Sequence, residues 1–280
     1  MQKQINLDLK SLYKWRLANK ISLNCSKTEL IFFHKPGNPI MNYTFNIKLN
    51  GHKIHPSSSI KYLGMHLDST LSGNEHCKIL ASKLKRANGM LNKIRHYVPK
   101  DELRSIYHAI FSSHMVYSCQ VWGQNHSSHM DKICKLQNRA LRIINFKDFN
   151  ANPSPLYKKE CILKLPDLIK TQNVLLVHDY LNNKLPKCFQ DYYFKMNYLY
   201  FNVQTRNSKL GCLFTPSKNT TRFGLKSITQ QCIYNWNFFT KTLKHDLLEF
   251  SRKTQNTTKT TLSSAILMHI ICHNHILYYY

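Results

Sequence analysis

The chain has 280 residues, enough for one large domain or two to three small ones. It carries 40 Lys and Arg against 14 Asp and Glu, a formal charge of +26, an imbalance that repels itself unless a polyanion neutralises it. Nucleic acid is therefore the leading partner, and an anionic membrane surface comes second. The nine cysteines are scattered without a C-x-x-C pair, which fits free thiols in a reducing compartment rather than a disulfide scaffold. The opening MQKQINLDLK has no apolar run, so a secretory leader is not expected, and the apolar stretch at 262–272 is too short and polar to span a bilayer.

In chain order, residues 1–19 place Ile5, Leu9 and Leu12 on one stripe with Tyr13 and Leu17 beside it, predicting an amphipathic helix. Residues 28–33 (TELIFF) suggest a strand. Phe45, Ile47 and Leu49 alternate up to Asn50-Gly51, and Ile54 follows, the pattern of a tight hairpin. Residues 60–67 predict a further strand ending at Asp68. From Glu75 onward the period changes: Leu80, Leu84, Ala87, Leu91 and Ile94 share a helical face. Pro99 stops that helix, and Asp101-Glu102 open the next, where acids suit the helix dipole. Its core face is Leu103, Ile106, Tyr107, Ile110 and Phe111. Ser128 with Asp131 resembles a capping box for a helix to about Asn145. Ser154-Pro155 suggests a capped start, and Leu168, Leu175 and Leu176 continue helically to about Leu185.

The stretch 197–226 is polar and basic, a long connection. Residues 227–250 are helical again, with Cys232, Trp236, Phe239, Leu243 and Phe250 on one side, and 251–261 form a polar linker. The fold class expected is α+β, mostly α: a small antiparallel hairpin region, a helical thumb-like body and a helical C-terminal region. The boundaries are 1–71, 72–150, 151–250 and a linker and unassigned tail at 251–280.

Charge and helical period coincide in two places. Lys78, Lys85, Arg86 and Lys93 lie opposite the Leu80/Leu84/Leu91 face. Lys132, Lys135, Arg139 and Arg142, spaced three, four and three, form a narrow stripe opposite Met130, Ile133, Gln137, Ala140, Leu141 and Ile144. Ordinarily such faces are merely solvated. Here they lack interleaved acids and sit on a strongly basic background, which points to phosphate contact. The rival is a diffuse charge cloud, in which Lys209, Lys218, Lys226 and Lys241 would serve equally well. Cys272 with His275, and His126 with His129, have no second ligand pair, so no metal site is expected. There is no phosphate-binding glycine loop.

Several segments come in a telling order: WRLANKISLNCSKTELIFF, FNIKLNGHKI, SIKYLGMHLD, ELRSIYHAIFSSHMVYSCQVWG, KICKLQNRALRIINF and TRNSKLGCLFTPSKNTTRFGLKSITQQCIYNWNFF. This series resembles the C-terminal part of reverse transcriptases of non-long-terminal-repeat (LINE-type, jockey-like) retrotransposons, over residues 14–250. The resemblance implies the end of a palm domain to about Leu71, then a helical thumb. It implies that Asn24 and Lys27 lie near the incoming triphosphate, Lys27 being a candidate proton donor. It makes Lys61, Tyr62, Leu63 and Gly64 a primer-grip hairpin. In that family the metal-binding aspartates lie upstream, including a Tyr-x-Asp-Asp turn, and no Asp-Asp pair occurs in this chain. Asp68 is then structural, and the expected cofactor set is empty, Mg²⁺ belonging to the intact polymerase. The chain is expected to be a truncated RNA-directed DNA polymerase fragment that binds RNA or DNA as template–primer duplex without extending it. Its further partner would be the missing N-terminal polymerase portion, its site the nucleus or cytoplasm, not a membrane. The alternative is a non-enzymatic basic nucleic-acid-binding protein derived from such an element.

Overall fold

The computed structural model describes residues 2–35, 37, 45–124, 127–189, 194, 212–213, 222–225 and 227–243. Lys209, Lys218, Lys226, the 251–261 linker, Phe250, His126 and the His/Cys-rich C-terminus lie outside the described residues. The chain divides into two units, one of residues 1–79 with 125–129 and one of 80–124 with 130–280. Among the described residues the architecture is mostly helical, with two small antiparallel hairpins.

The first unit begins with helix α1, Gln2–Ala18. Ile5 and Leu9, one turn apart, pack on a cluster of buried Ile47, Leu49 and Ile54. Asn6 fixes the register by donating from Nδ2 to the Asn46 carbonyl and accepting the Lys48 N–H, each at 3.0 Å. Strands β1 (Lys48–Leu49) and β2 (His52–Lys53) form the hairpin expected at Asn50-Gly51. Asn50 and Gly51 have φ of 51° and 80°, the paired positive angles of a type I′ turn. Strands β3 (Ser59–Tyr62) and β4 (Met65–Asp68) pair from Ser59↔Asp68 to Tyr62↔Met65.

Two sequence expectations change here. Residues 60–67 are not one strand but a hairpin folded at Leu63 and Gly64, with φ of 45° and 83°. The apolar run hid this turn, because Leu seldom takes a left-handed backbone. This second hairpin forms its own two-stranded sheet. Residues 28–33 make a single parallel bridge, Leu30↔Pro56, instead of a strand. Their apolar side chains serve packing: Phe32 stacks on Phe45 at 4.2 Å, and Leu30 and Phe32 cover the Ile47 cluster.

Helix α2 (Asn74–Ile94) crosses from the first unit into the second. In the second unit it buries Leu80, Leu84, Ala87 and Leu91, as the period predicts. Helix α3 (Lys100–Tyr107) runs through a π turn at His108–Ser112 into α4 (Ser113–Val116), and α5 is Cys119–Trp122. Leu103, Tyr107, Phe111, Met115 and Cys119 are all buried, a four-residue repeat that the wider π turn accommodates. At Gly123 a Cβ would lie 2.7 Å from Ile169 Cδ1 and collide with the Cys119 carbonyl, so close packing requires glycine.

Helix α6 spans Ser127–Ile144, starting one residue early and placing Ser128 inside the first turn rather than at its cap. Helix α7 is Ser154–Lys159. Ser154 does not cap it; Asn152 Oδ1 accepts the Ser154 N–H at 3.0 Å instead. Helix α8 (Leu165–Leu181) is buried on most sides and packs against α10 (Ile228–Leu243), while α9 is the short turn Arg222–Leu225. Val174, Val177, Cys232, Ile233, Trp236 and Phe239 form the α8–α10 core. Asn237 brackets Leu213 like a strand partner, accepting its N–H at 2.7 Å and donating to its carbonyl at 3.0 Å. Burial pushes the thiols of Cys119 and Cys232 up to about 12 and that of Cys134 to about 11, so they pack as neutral, unreactive groups.

Candidate nucleic-acid interface

The amphipathic periods of α2 and α6 place their apolar faces in the core of the second unit and leave their basic faces outward. Asn88 Nδ2 on α2 donates to the Leu136 carbonyl on α6 at 3.0 Å and fixes the two helices together. A groove of about 490 Å³ opens there, lined by Ala81 and Lys85 from α2, by Lys132, Lys135, Leu136, Asn138, Arg139 and Arg142 from α6, and by Phe149. Lys85, Lys132, Lys135 and Arg139 are exposed and Arg142 is half-buried. Among the described residues no carboxylate pairs with any of the five. The groove thus concentrates cationic donors over an apolar floor, a geometry suited to a phosphate backbone.

The structure brings together one member of the first predicted quartet and all of the second. Lys78, Arg86 and Lys93 are exposed but do not line the groove. Lys78 is bound to Glu75 at 2.6 Å. Arg86 lies about 100° around the helix from Lys85 and, with Lys83, faces His114. The His114 imidazole is held below its ordinary value by burial and then by those two charges. Acids also stand nearer the stripes than expected, namely Glu75 and Asp131, the latter one turn before Lys135. Arg142 has a structural duty that the spacing did not reveal: its Nε donates to the Ala151 carbonyl at 2.7 Å and its guanidinium lies 5.9 Å from the Phe149 ring.

In the first unit, Lys61 and Tyr62 end β3, and Leu63-Gly64 form the turn. Tyr62 and Leu63 are exposed, so the hairpin tip offers its side chains to solvent. Lys27 closes a 3₁₀ turn, Cys25–Lys27, and is exposed; its N–H donates to Asn24 Oδ1 at 3.2 Å. Asn24 thus acts locally by shaping the turn that presents Lys27.

Asp68 ends β4, 8% exposed. One carboxylate oxygen accepts the Thr70 hydroxyl at 2.8 Å and the Ser72 N–H at 2.7 Å, and the other accepts the Ser72 hydroxyl at 3.0 Å. Burial raises this carboxyl, but the Ser72, Thr70 and Gly73 donors outweigh it and hold it below the usual carboxylate range. Both oxygens are thus engaged in the turn that leads into α2. We expect Asp68→Asn to destabilise the fold by about 2 kcal/mol at neutral pH, because charge-assisted bonds are weakened. A lowered folded pKa contributes stability that is complete above the unfolded value near 3.9 and is lost as pH falls through the folded value. The deficit of the variant should therefore shrink below about pH 4. Equal deficits at pH 7 and pH 3 in urea titrations would sink this account.

Among the described residues, no three His, Cys, Asp or Glu side chains stand together as a metal site. No described helix is long and apolar enough to cross a membrane.

The sequence has counterparts among proteins of mobile elements. Over 167 residues, 57% of the chain, it is 26% identical to the RNA-directed DNA polymerase from mobile element jockey of Drosophila funebris, covering 17% of that protein. It is 27% identical over 163 residues, 52% of the chain, to the retrovirus-related Pol polyprotein from type-1 retrotransposable element R1 4 of Nasonia vitripennis, covering 41% of it. A match to the probable RNA-directed DNA polymerase from transposon X-element of Drosophila melanogaster is 26% identical over 135 residues, 47% of the chain and 14% of that protein. Over about half its length the chain is therefore similar to RNA-directed DNA polymerases of non-LTR retrotransposable elements, and it spans 14% to 41% of these relatives. No family model and no solved structure matches it.

Proposed function

We propose that this chain is a piece of a non-LTR element's RNA-directed DNA polymerase, comprising the end of the palm (1–71), the thumb (72–150) and a basic C-terminal region (151–250). Its role is to hold template–primer duplex, not to extend it. The observation that carries this reading is the groove in which Lys85, Lys132, Lys135, Arg139 and Arg142 converge with no paired carboxylate among the described residues. Such donors bind phosphates of any sequence and fix the register of a duplex. The exposed tip Lys61–Gly64 is suited to a primer-grip role, and Lys27, presented by its turn, to proton donation in the full polymerase.

Phosphoryl transfer by two metal ions needs carboxylates that hold both cations. Among the described residues no three His, Cys, Asp or Glu side chains stand together as a metal site, and both Asp68 oxygens are engaged in its turn. On this reading, the metal ligands enter with the rest of the polymerase. The outer side of α1 exposes Leu7, Leu12, Trp15 and Leu17, an apolar surface suited to packing against that portion. The test is dNTP incorporation on a primed RNA template with Mg²⁺ or Mn²⁺, alongside binding of the same duplex. We expect binding without extension. Template-dependent extension that survives Asp68→Ala and repurification overturns the non-catalytic reading; absence of duplex binding at low salt overturns the groove.

A further inference from the structure

The basic groove carries an aromatic ring beside its cations. Phe149 forms part of its wall and is 72% exposed. Phe146, 50% exposed, follows the last turn of α6, and its ring meets that of His96 edge to face with centroids 5.7 Å apart. Arg95 lies over the Phe146 ring at 5.6 Å, as Arg142 does over Phe149. Tyr97, 87% exposed, follows His96 on the turn that ends α2. All of these belong to the second unit. Three exposed rings, two of them with an arginine over one face, therefore alternate in the sequence with Arg95, Arg142 and Lys147 just after the ends of α2 and α6; Asp148 is the one acid in the sequence between Phe146 and Phe149.

The local backbone holds this arrangement in place. Phe146 closes α6 in a left-handed conformation, φ 52°, with its N–H on the Ile143 carbonyl and the Lys147 N–H on the Arg142 carbonyl at 2.9 Å. This is the Schellman closure, which favours glycine. Lys20, Cys161 and Asn183 close their helices in the same way, so strain alone distinguishes nothing. What distinguishes Phe146 is that a bulky ring sits at such a cap and remains half exposed. Burial does not account for rings placed in this way. Aromatic faces interleaved with cations are the arrangement that stacks unpaired bases while neutralising their phosphates.

We infer that Phe149, Phe146 and Tyr97 form a stacking platform for the first unpaired nucleotides of a strand that leaves the groove-bound duplex. The ligand is single-stranded nucleic acid adjoining a duplex, taken without base preference because every base offers a π-face. This deepens the reading of the groove as a duplex site and rests on it. The groove supplies phosphate contact, and the platform adds recognition of bases.

The test compares binding of the full chain to fluorescent DNA probes at fixed salt: a blunt duplex, the same duplex with a four-nucleotide overhang, that overhang made of abasic nucleotides, and free single strand in normal and abasic form. The abasic probe keeps every phosphate and removes every base. We expect the normal overhang to bind at least about fivefold more tightly than the abasic one, the lower end expected for one stacked base. Phe146→Ala with Phe149→Ala should bring that ratio close to one. Phe149→Leu, at an exposed position where folding is not at stake, should lower it alone by removing the π-face and keeping apolar bulk. Equal affinity for the normal and abasic overhangs overturns the platform, as does an advantage that survives Phe149→Leu and the double variant. If blunt duplex fails to bind while free single strand binds in a base-dependent, Phe149-dependent way, the duplex reading fails and the platform stands.

Discussion

Changing Lys132→Gln, Lys135→Gln and Arg139→Gln together should flatten the salt dependence of duplex binding by about 2 to 2.7 units on log–log axes. Each phosphate contact releases counterions worth a slope of about 0.9 on B-form DNA, so three contacts set the upper figure. Arg142 is left intact because it fastens Ala151 and faces Phe149, and its loss would mix binding with local structure. The control removes the same charge elsewhere: Lys3→Gln, Lys10→Gln and Lys14→Gln, all exposed on α1. If the +26 charge acts as a diffuse cloud, the two triple variants flatten the slope equally. If the groove is the site, the α1 variant moves it by less than one unit. Titrations from low to moderate salt decide between these, and equal slopes would remove the groove. Far-ultraviolet circular dichroism should be unchanged in both variants, because none of the six side chains is buried.

The parts of this molecule legible in the sequence are those where one physical rule dominates. The Asn50-Gly51 turn follows from backbone sterics alone, since few dipeptides tolerate two positive φ angles. The buried faces of α2 and α6 follow from the helical period, because burial of Leu80, Leu84 and Leu91 outweighs local preference. The Leu63-Gly64 turn was not legible from propensity, because tertiary context overrides Leu's aversion to that conformation. The groove was half legible. Helical angle identified the stripes, but which cations converge depends on how α2 packs on α6, fixed by Asn88 and the Leu136 carbonyl. The rings at Phe146 and Phe149 lie just beyond the last helical turn, where no period applies, so they carried no signal of their own.

Gln137 is where a long-range contact replaces a local signal, and Gln137→Leu should cost about 3 kcal/mol of stability. Helix α8 begins without a competent cap of its own: Lys164 makes no side-chain cap bond, and Pro166 has no N–H to satisfy. Gln137, fully buried on α6, supplies the missing partner. Its Oε1 accepts the Leu165 N–H at 3.0 Å, and its Nε2 donates to the Leu163 carbonyl at 2.9 Å and toward the Tyr107 hydroxyl at 3.4 Å. Burial holds the Tyr107 phenol at about 12, against the opposing pull of that bond, so it stays neutral at any working pH. Leucine keeps the volume but strands a backbone N–H and a carbonyl in the interior, each costing about 1–3 kcal/mol when unpaired. The polar residue among Ile133, Ala140, Leu141 and Ile144 was visible as an interruption of an apolar face; its partners, 26 and 28 residues further on, were not. Urea unfolding of Gln137→Leu should show the loss as a lower midpoint with an unchanged m-value. Native-state hydrogen exchange should show Leu165 losing more protection than amides in the centre of α8. A loss below about 0.5 kcal/mol, the range of an ordinary surface substitution, would mean that water or a relaxed α8 terminus replaces the glutamine.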